Sequence, residues 1–280
     1  MKLCIIGLGL LGGSFGLAVK AARSNTQVTG VENDLQHAQK ALSLKLVDAV
    51  MPLEEAVTNA DLVVLAVPVN AIAALLQPVL DLLPSGATLV DFGSTKEQIC
   101  QIADKHPKRG QFVAAHPIAG TEYSGPEAAF ESLLAQKTMI ICDKEKSAPA
   151  SLALVEQLCS ELHMPLRYMA AADHDLHLAY VSHLSHISSF ALGLTVLDKE
   201  QDAKNIFDMA GSGFSSTVRL AKSSPQMWAP IFTQNRQNVS EALDSYITQL
   251  QQFKALIAAQ DEEKSRALMA KANDIRRILG

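Results

Sequence analysis

The run Leu3-Cys4-Ile5-Ile6-Gly7-Leu8-Gly9-Leu10-Leu11-Gly12 decides the fold of this chain. Four apolar residues stopped by glycine read as a buried strand, and the apolar stretch from Phe15 to Val19 reads as the body of a helix. The glycines between them carry the dinucleotide-binding spacing G-x-G-x-x-G. Gly7 permits the tight turn, Gly9 lets backbone approach a pyrophosphate, and Gly12 lets the helix lie close to the strand. The first helical N–H groups, from Leu10 and Leu11 onward, then face the phosphates, where the helix dipole favours negative charge.

About twenty residues on, where the pattern asks for an acid, Gln27 to Val31 reads as a second strand with Glu32 at its carboxyl end. A carboxylate there accepts hydrogen bonds from an adenosine ribose and repels a 2′-phosphate, and no Lys or Arg follows before Lys40. The expected cofactor is therefore NAD. Read alone, Glu32 also suits a cap on the next helix.

Strands and helices go on alternating. Asp61 to Val67, Ala87 to Asp91, Gln111 to His116, Lys137 to Cys142 and Leu166 to Met169 read as strands, with helical stretches between most of them. Such βα alternation predicts a doubly wound parallel sheet, whose ligands lie beyond the carboxyl ends of its strands. Val67, Pro68, Ser94 and His116 all fall at such ends. From Ala171 no strand pattern recurs. Leu176 to Leu197 reads as one long, unusually apolar helix, expected to be buried on most sides in a bundle or between subunits. Asp202 to Met209 and Thr217 to Ala221 read as shorter helical pieces, and Ser224-Pro225 starts another. The fold class is thus α/β: an N-terminal Rossmann-like doubly wound domain over residues 1–169, then an all-helical domain over 170–280.

Composition agrees with an enzyme of the cytoplasm. Hydrophobic residues make up 48% and charged ones 19%, a balance that points to a subunit interface and a homodimer through the helical domain. A net charge of −5 offers no basic footprint for nucleic acid. No apolar run approaches the roughly eighteen residues of a membrane span, and a strand beginning at Leu3 is expected to leave no room for a signal peptide. The four cysteines show no C-x-x-C spacing and are expected to be buried, reduced thiols.

His116 turns the reading from binding to chemistry. An imidazole at a strand end beside a nicotinamide can take a proton from a hydroxyl while the same carbon loses hydride. Taken in order, Gly7-x-Gly9-x-x-Gly12, Asp91-Phe92-Gly93-Ser94-Thr95-Lys96, His116-Pro117-Ile118-Ala119-Gly120, Val181-Ser182-His183-Leu184-Ser185-His186, and Ser212-Gly213-Phe214 through Arg219 with Trp228 run the length of the chain. In this the sequence resembles the prephenate/arogenate dehydrogenase family of tyrosine biosynthesis.

That resemblance implies an oxidative decarboxylation of prephenate to 4-hydroxyphenylpyruvate with hydride passing to NAD. It implies His116 as the catalytic proton acceptor and Ser94 as a second catalytic residue that contacts nicotinamide or orients the histidine. Arg219 corresponds to the family's substrate-binding arginine, whose planar fork suits a carboxylate. His186 corresponds to the position facing the substrate side chain, with His183 and Trp228 beside it. Ordinary uses exist for the same residues: a strand-end hydrogen bond for His116, a helix N-cap for Ser94, and an ion pair with Asp208 for Arg219. Lys96 is expected to be a solvated first-turn residue, and Asp173 and Asp175 to serve the dipole of their own helix. The i, i+3 pairs His174–His177 and His183–His186 lack a third ligand at a defined spacing, so no metal is expected. Arogenate is the alternative substrate; a non-catalytic NAD(H)-binding sensor is the reading from another class.

Overall fold

The structure, a computed structural model, describes residues 1–202 and 206–279. Among the described residues eight strands form one sheet: β1 (Lys2–Ile6), β2 (Gln27–Val31), β3 (Ala49–Val50), β4 (Leu62–Leu65), β5 (Thr88–Asp91), β6 (Phe112–Pro117), β7 (Met139–Cys142) and β8 (Leu166–Met169). Their spatial order is 3-2-1-4-5-6-7-8. Between them lie α1 (Leu10–Ala22), α2 (Leu35–Ser43), α3 (Leu53–Thr58), α4 (Val69–Leu82), α5 (Glu97–Ala103) and α6 (Pro149–Glu161). The first six strands are mutually parallel, the doubly wound arrangement expected. The sheet departs from an all-parallel one at its far side, where β7 runs antiparallel to β6 and β8 follows β7. Residues 118–138 hold only two short 3₁₀ turns, Pro126–Ala128 and Glu131–Leu133. Without a crossover helix, the chain re-enters the sheet in the opposite sense.

Period-two alternation sorts each strand's residues into two layers. Leu3, Ile5, Leu62, Val64, Val113, Ala115 and Ile141 face Phe15 and Val19 of α1 and Val155 and Leu158 of α6. Cys4, Ile6, Val63, Leu65, Phe112, Ala114 and Cys142 face Ile72 and Leu76 of α4 and Ile99 and Ala103 of α5. His116 has the parity of Phe112 and Ala114 and so turns toward the second layer. All four cysteines are buried free thiols, and burial pushes those of Cys4, Cys100 and Cys159 up to about 12.

Among the described residues the last strand ends at Met169, and α7 (Ala171–Leu178), a π-helical segment (Ala179–His183) and α8 (Leu184–Asp202) follow without a break. Beyond them come α9 (Ser212–Val218), a 3₁₀ turn over Arg219–Lys222, α10 (Pro225–Gln234), α11 (Arg236–Ala258), α12 (Glu262–Ala272) and α13 (Arg276–Leu279). Of the helix predicted over Asp202 to Met209, residues 203–205 lie outside the described residues, and Phe207–Met209 form a 3₁₀ turn.

Compactness divides the chain later than secondary structure does, into Met1–Asn235 and Arg236–Gly280. Helices α7 to α10 therefore belong with the sheet. Ala171 and Leu178 of α7 join the second core layer, and Trp228 and Ile231 of α10 pack on Val69 of α4. The apolar α7–α8 stretch is not enclosed within the single chain: Val181, Leu194 and Leu197 are 74%, 60% and 53% exposed. Among the described residues no helix is long and apolar enough to cross a membrane.

Glycine at position 12 is a packing requirement: a Cβ there would lie 2.0 Å from the Gly7 carbonyl oxygen, whereas one on Gly9 would meet nothing within 4 Å. Gly12→Ala is expected to cost about 3 kcal/mol in denaturant unfolding, and Gly9→Ala under about 0.5 kcal/mol. Equal midpoints for the two variants would refute this account of the turn.

Candidate active site

The sheet reverses its strand order between β1 and β4, and the glycine turn opens into that crevice. Gly7 has φ +95°, and a Cβ on it would meet the Ala66 carbonyl oxygen at 2.6 Å. Gly9 stands over open space at the head of α1, whose first turn has neither an acidic residue nor a side-chain cap. Leu10 and Leu11 form that first turn, half-buried, and Gly12 seats it on Ile5. Glu32 accepts from the N–H of Leu8 (3.0 Å) and of Asp34 (3.1 Å), so the acid is joined to the glycine loop itself. The capping use open to Glu32 falls to Asp34, which accepts from Gln36 N and His37 N. Val67 and Pro68 follow β4, with Pro68 at the N-cap position of α4. The turn, the open backbone and the uncapped helix start together fit a dinucleotide.

Behind this crevice lies a buried polar network that sequence reasoning did not find. His116, 8% exposed at the end of β6, meets His174 of α7 through Nδ1···Nε2 at 2.9 Å. The other ring nitrogen of His174 lies 2.7 Å from Asp175 Oδ1. Asp175 in turn accepts from Lys96 N (2.7 Å) and Glu97 N (3.0 Å), which caps α5. Two expectations are corrected here. Asp175 serves the N-terminus of α5 and not that of its own helix, because it lies in the fifth position of α7, on the face turned to the sheet. Lys96 is not solvated: it is fully buried, and its Nζ donates to Asp91 Oδ2 and to the Ala115 carbonyl (2.8 Å). A Lys this deep requires paired acceptors, and the same turn of chain supplies Asp91.

Ser94 lies half-buried on this turn, and α5 starts only at Glu97, so capping is not its task. Thr95 donates to Gln234 of α10 at 2.6 Å, joining the turn to the helical side. From there Asn235 Nδ2 donates to the Asp175 carbonyl (2.7 Å) and to His183 Nδ1 (3.1 Å). His183 is wholly buried on the π-helical segment, a geometry often found at functional sites. His186, one turn on, donates from Nδ1 to the Ser182 carbonyl (2.9 Å) and stacks on Trp228 with ring centroids 3.5 Å apart. Trp228 is buried against both histidines. Among the described residues, His183 Nε2 and Trp228 Nε1 are buried without a protein partner. Arg219 stands at the rim, 53% exposed, and its guanidinium meets Glu122 at 3.6 Å, not Asp208.

Burial dominates the electrostatics. It holds the His116 imidazole well below 6.5, with His174, Lys96 and His183 adding to the effect. It lowers His174 to about 2, again with Lys96 adding, and His183 to about 4 against the pull of Asp175. Burial raises the Asp91 carboxyl against the attraction of Lys96, and raises Asp175 against its two N–H donors. Near neutral pH the histidines of this network are uncharged bases.

A glycine crevice for a dinucleotide and a neutral strand-end imidazole at the carboxyl edge of the same sheet define a nucleotide-dependent dehydrogenase. More narrowly, the chain belongs to the prephenate dehydrogenase family, whose nucleotide-binding domain matches residues 15–166 and whose dimerization domain matches residues 170–271. It is 29% identical to the cyclohexadienyl dehydrogenase of Zymomonas mobilis, over 98% of each chain. It is 28% identical to the prephenate dehydrogenase of Bacillus subtilis, over 97% of this chain and 74% of that one. In three dimensions it resembles the A. aeolicus prephenate dehydrogenase solved with hydroxyphenyl propionate and NAD+, with TM-score 0.91 and 29% identity over 100% of this chain and 98% of that one. It also resembles a Synechocystis arogenate dehydrogenase, with TM-score 0.76 and 26% identity over the whole of both chains.

The buried neutral histidines set a pH dependence of stability. Their folded pKa values lie below 6.5, so under pH 6.5 the unfolded chain binds protons that the folded chain refuses. Stability is full above about 6.5 and falls on acidification, by about 1.4 kcal/mol per pH unit for each such histidine. The raised carboxyls Asp91 and Asp175 offset part of this. Denaturant unfolding at pH 7 and pH 5.5 should show the loss, and equal stability at the two values would contradict neutral burial.

Proposed function

We propose that this chain oxidatively decarboxylates prephenate to 4-hydroxyphenylpyruvate with NAD as hydride acceptor, a step of tyrosine biosynthesis. One observation carries the reading: His116 is held uncharged at the end of β6, on the sheet whose glycine crevice suits a dinucleotide. Membership of the prephenate dehydrogenase family and likeness to a structure holding NAD+ and hydroxyphenyl propionate support it.

In this reading Gly7, Gly9, Leu10, Leu11 and Gly12 hold the pyrophosphate, Glu32 the ribose, and Val67, Pro68 and Ser94 the nicotinamide side. The bound nicotinamide supplies a two-electron acceptor. His116 accepts the proton of the ring hydroxyl as hydride leaves the same carbon, and carbon dioxide departs as the ring becomes aromatic. Aromatisation provides the driving force, so the protein's work is to position the substrate, take the proton and hold the carboxylates. Arg219 is the cation for a carboxylate, since Glu122 leaves it half exposed. His186, stacked on Trp228, faces the side chain, and the unpartnered N–H groups of His183 and Trp228 suit an oxygen-rich ligand.

NADH formation with prephenate and with arogenate, each with NAD and with NADP, tests the assignment. The highest rate is expected for prephenate with NAD. A higher rate with arogenate would move the substrate, and no rate in any arm would leave a nucleotide-binding sensor. His116→Asn should keep NAD binding and lower turnover by about a thousandfold. Wild-type turnover should stay flat with pH from 8 down to 6.5, because the base protonates only well below that range. An acid limb at or above 6.5 would remove His116 from the role.

We also infer a homodimer, because Val181, Leu194 and Leu197 lie exposed along the apolar α7–α8 stretch and the family's dimerization domain covers it. Sedimentation at micromolar concentration is expected to give twice the 30.1 kDa chain mass. A monomer there would refute it.

A further inference from the structure

The geometry points to His174, held by Asp175, as a positioning residue that fixes His116 in the one tautomer able to act as the base. The inference rests on the reading of His116 given above. It follows from donors and acceptors taken in order. Both Asp175 oxygens accept backbone N–H groups, from Lys96 and Glu97, which is the pattern of an ionised carboxylate. At 2.7 Å from such an oxygen, His174 Nδ1 must carry a hydrogen, since two acceptors would repel. A neutral imidazole has only one N–H, so His174 Nε2 is an acceptor. His116 Nδ1, at 2.9 Å from it, must therefore be the donor. The lone pair of His116 is left on Nε2, the nitrogen not spent on the protein.

Every element around His116 agrees with this assignment. Lys96 is occupied by Asp91 and the Ala115 carbonyl, and His183 takes its hydrogen bond from Asn235. Asp91 and Asp175 are the carboxylates of the network, and neither is hydrogen-bonded to His116 directly. His174 is thus the only protein group hydrogen-bonded to the His116 ring among the described residues. The arrangement differs from a direct His–carboxylate pair in placing a second imidazole between base and acid, which holds the negative charge one ring further from the reacting carbon.

The test uses the full chain with ¹⁵N-labelled histidine. Two-bond nitrogen–hydrogen spectra should place the His116 proton on Nδ1. His174→Gln, whose side-chain oxygen can accept that proton's hydrogen bond, should keep turnover within about tenfold. His174→Phe leaves His116 Nδ1 without an acceptor, so part of the population should move its proton to Nε2. Its kcat should fall about a hundredfold or more, while KM for prephenate and NAD binding stay within about twofold. A wild-type proton on Nε2, or a Phe variant with unchanged tautomer and kcat, would overturn the inference. If the Phe variant does not fold, the wild-type tautomer and the Gln variant decide it: an Nε2 proton, or a Gln variant as slow as His116→Asn, overturns it. A wild-type Nδ1 proton in a protein that oxidises neither substrate would reject the proposed reaction and leave the tautomer assignment standing.

Discussion

The Asp175 carboxylate is the point on which the rest of the site hangs. It accepts two backbone N–H groups at the head of α5 and one imidazole N–H from its own helix, all within 3.0 Å. Those three bonds fix α7 against the turn that carries Ser94, Thr95 and Lys96, and through His174 they fix His116. A second charged pair, Lys96 with Asp91, clamps the same turn from beneath and grips the Ala115 carbonyl next to the histidine. Buried charges of this kind return little net stability, since their mutual attraction is largely consumed by leaving water. What they provide here is geometry. Lys96 ties the head of α5 to β5 and β6, and Asp175 ties it to α7, so a loosened site would strand a charge in the core.

The sheet was legible because its signals are local. A strand, a glycine turn and a helix occupy consecutive residues, and the apolar runs that follow repeat that grammar through β6. The reversal at β7 was not legible in the same way, because it depends on what residues 118–138 fail to form. The site divides along the same line. His116, Ser94 and Arg219 could be picked out by type and position, since each lies at a strand end or in a motif. His174, Asp175 and Asn235 could not, because their partners lie 58, 79 and 60 residues away in sequence. One signal does lie in the sequence: strand parity puts His116 on the layer of Phe112 and Ala114, the face on which a helix following β8 can supply its neighbour. The burial of Lys96 is hidden in the sequence for a related reason. Its charge argued for solvent, and only the buried Asp91 five residues earlier argued against.

The helical half shows why a compositional argument and a packing argument can both be right about one element. The apolar character of the α7–α8 stretch demands cover, yet among the described residues it is covered only in part. Ala171 and Leu178 enter the core, whereas Leu194 and Leu197 do not. The cut between compact units falls inside the helical segment, after Asn235. Asn235 closes the network by holding His183 and the Asp175 carbonyl, so every residue proposed to act lies in the first unit. The uncovered surface and the proposed chemistry are thus borne on the same helical run, Val181 beside His183 and Leu194 and Leu197 further along.

A buried base faces a difficulty that the network resolves. In the proposed role of His116 as base, burial keeps the ring uncharged at rest, ready to accept a proton, but makes the imidazolium costly once formed. An oxidation that ends in an aromatic ring and free carbon dioxide tolerates a weak base, because the reverse step is not competitive. It still benefits from any group whose interaction grows as the positive charge appears. Asp175 is such a group. It is hydrogen-bonded to His174 and not to His116, so it can stabilise the imidazolium without forming a direct ion pair that would hold the base protonated at rest. Placing the carboxylate directly on His116 would raise the resting pKa and lose the free base near neutrality. Burial, with His174 adding to it, keeps the proposed base neutral when empty, and the interposed histidine lets Asp175 support it when charged.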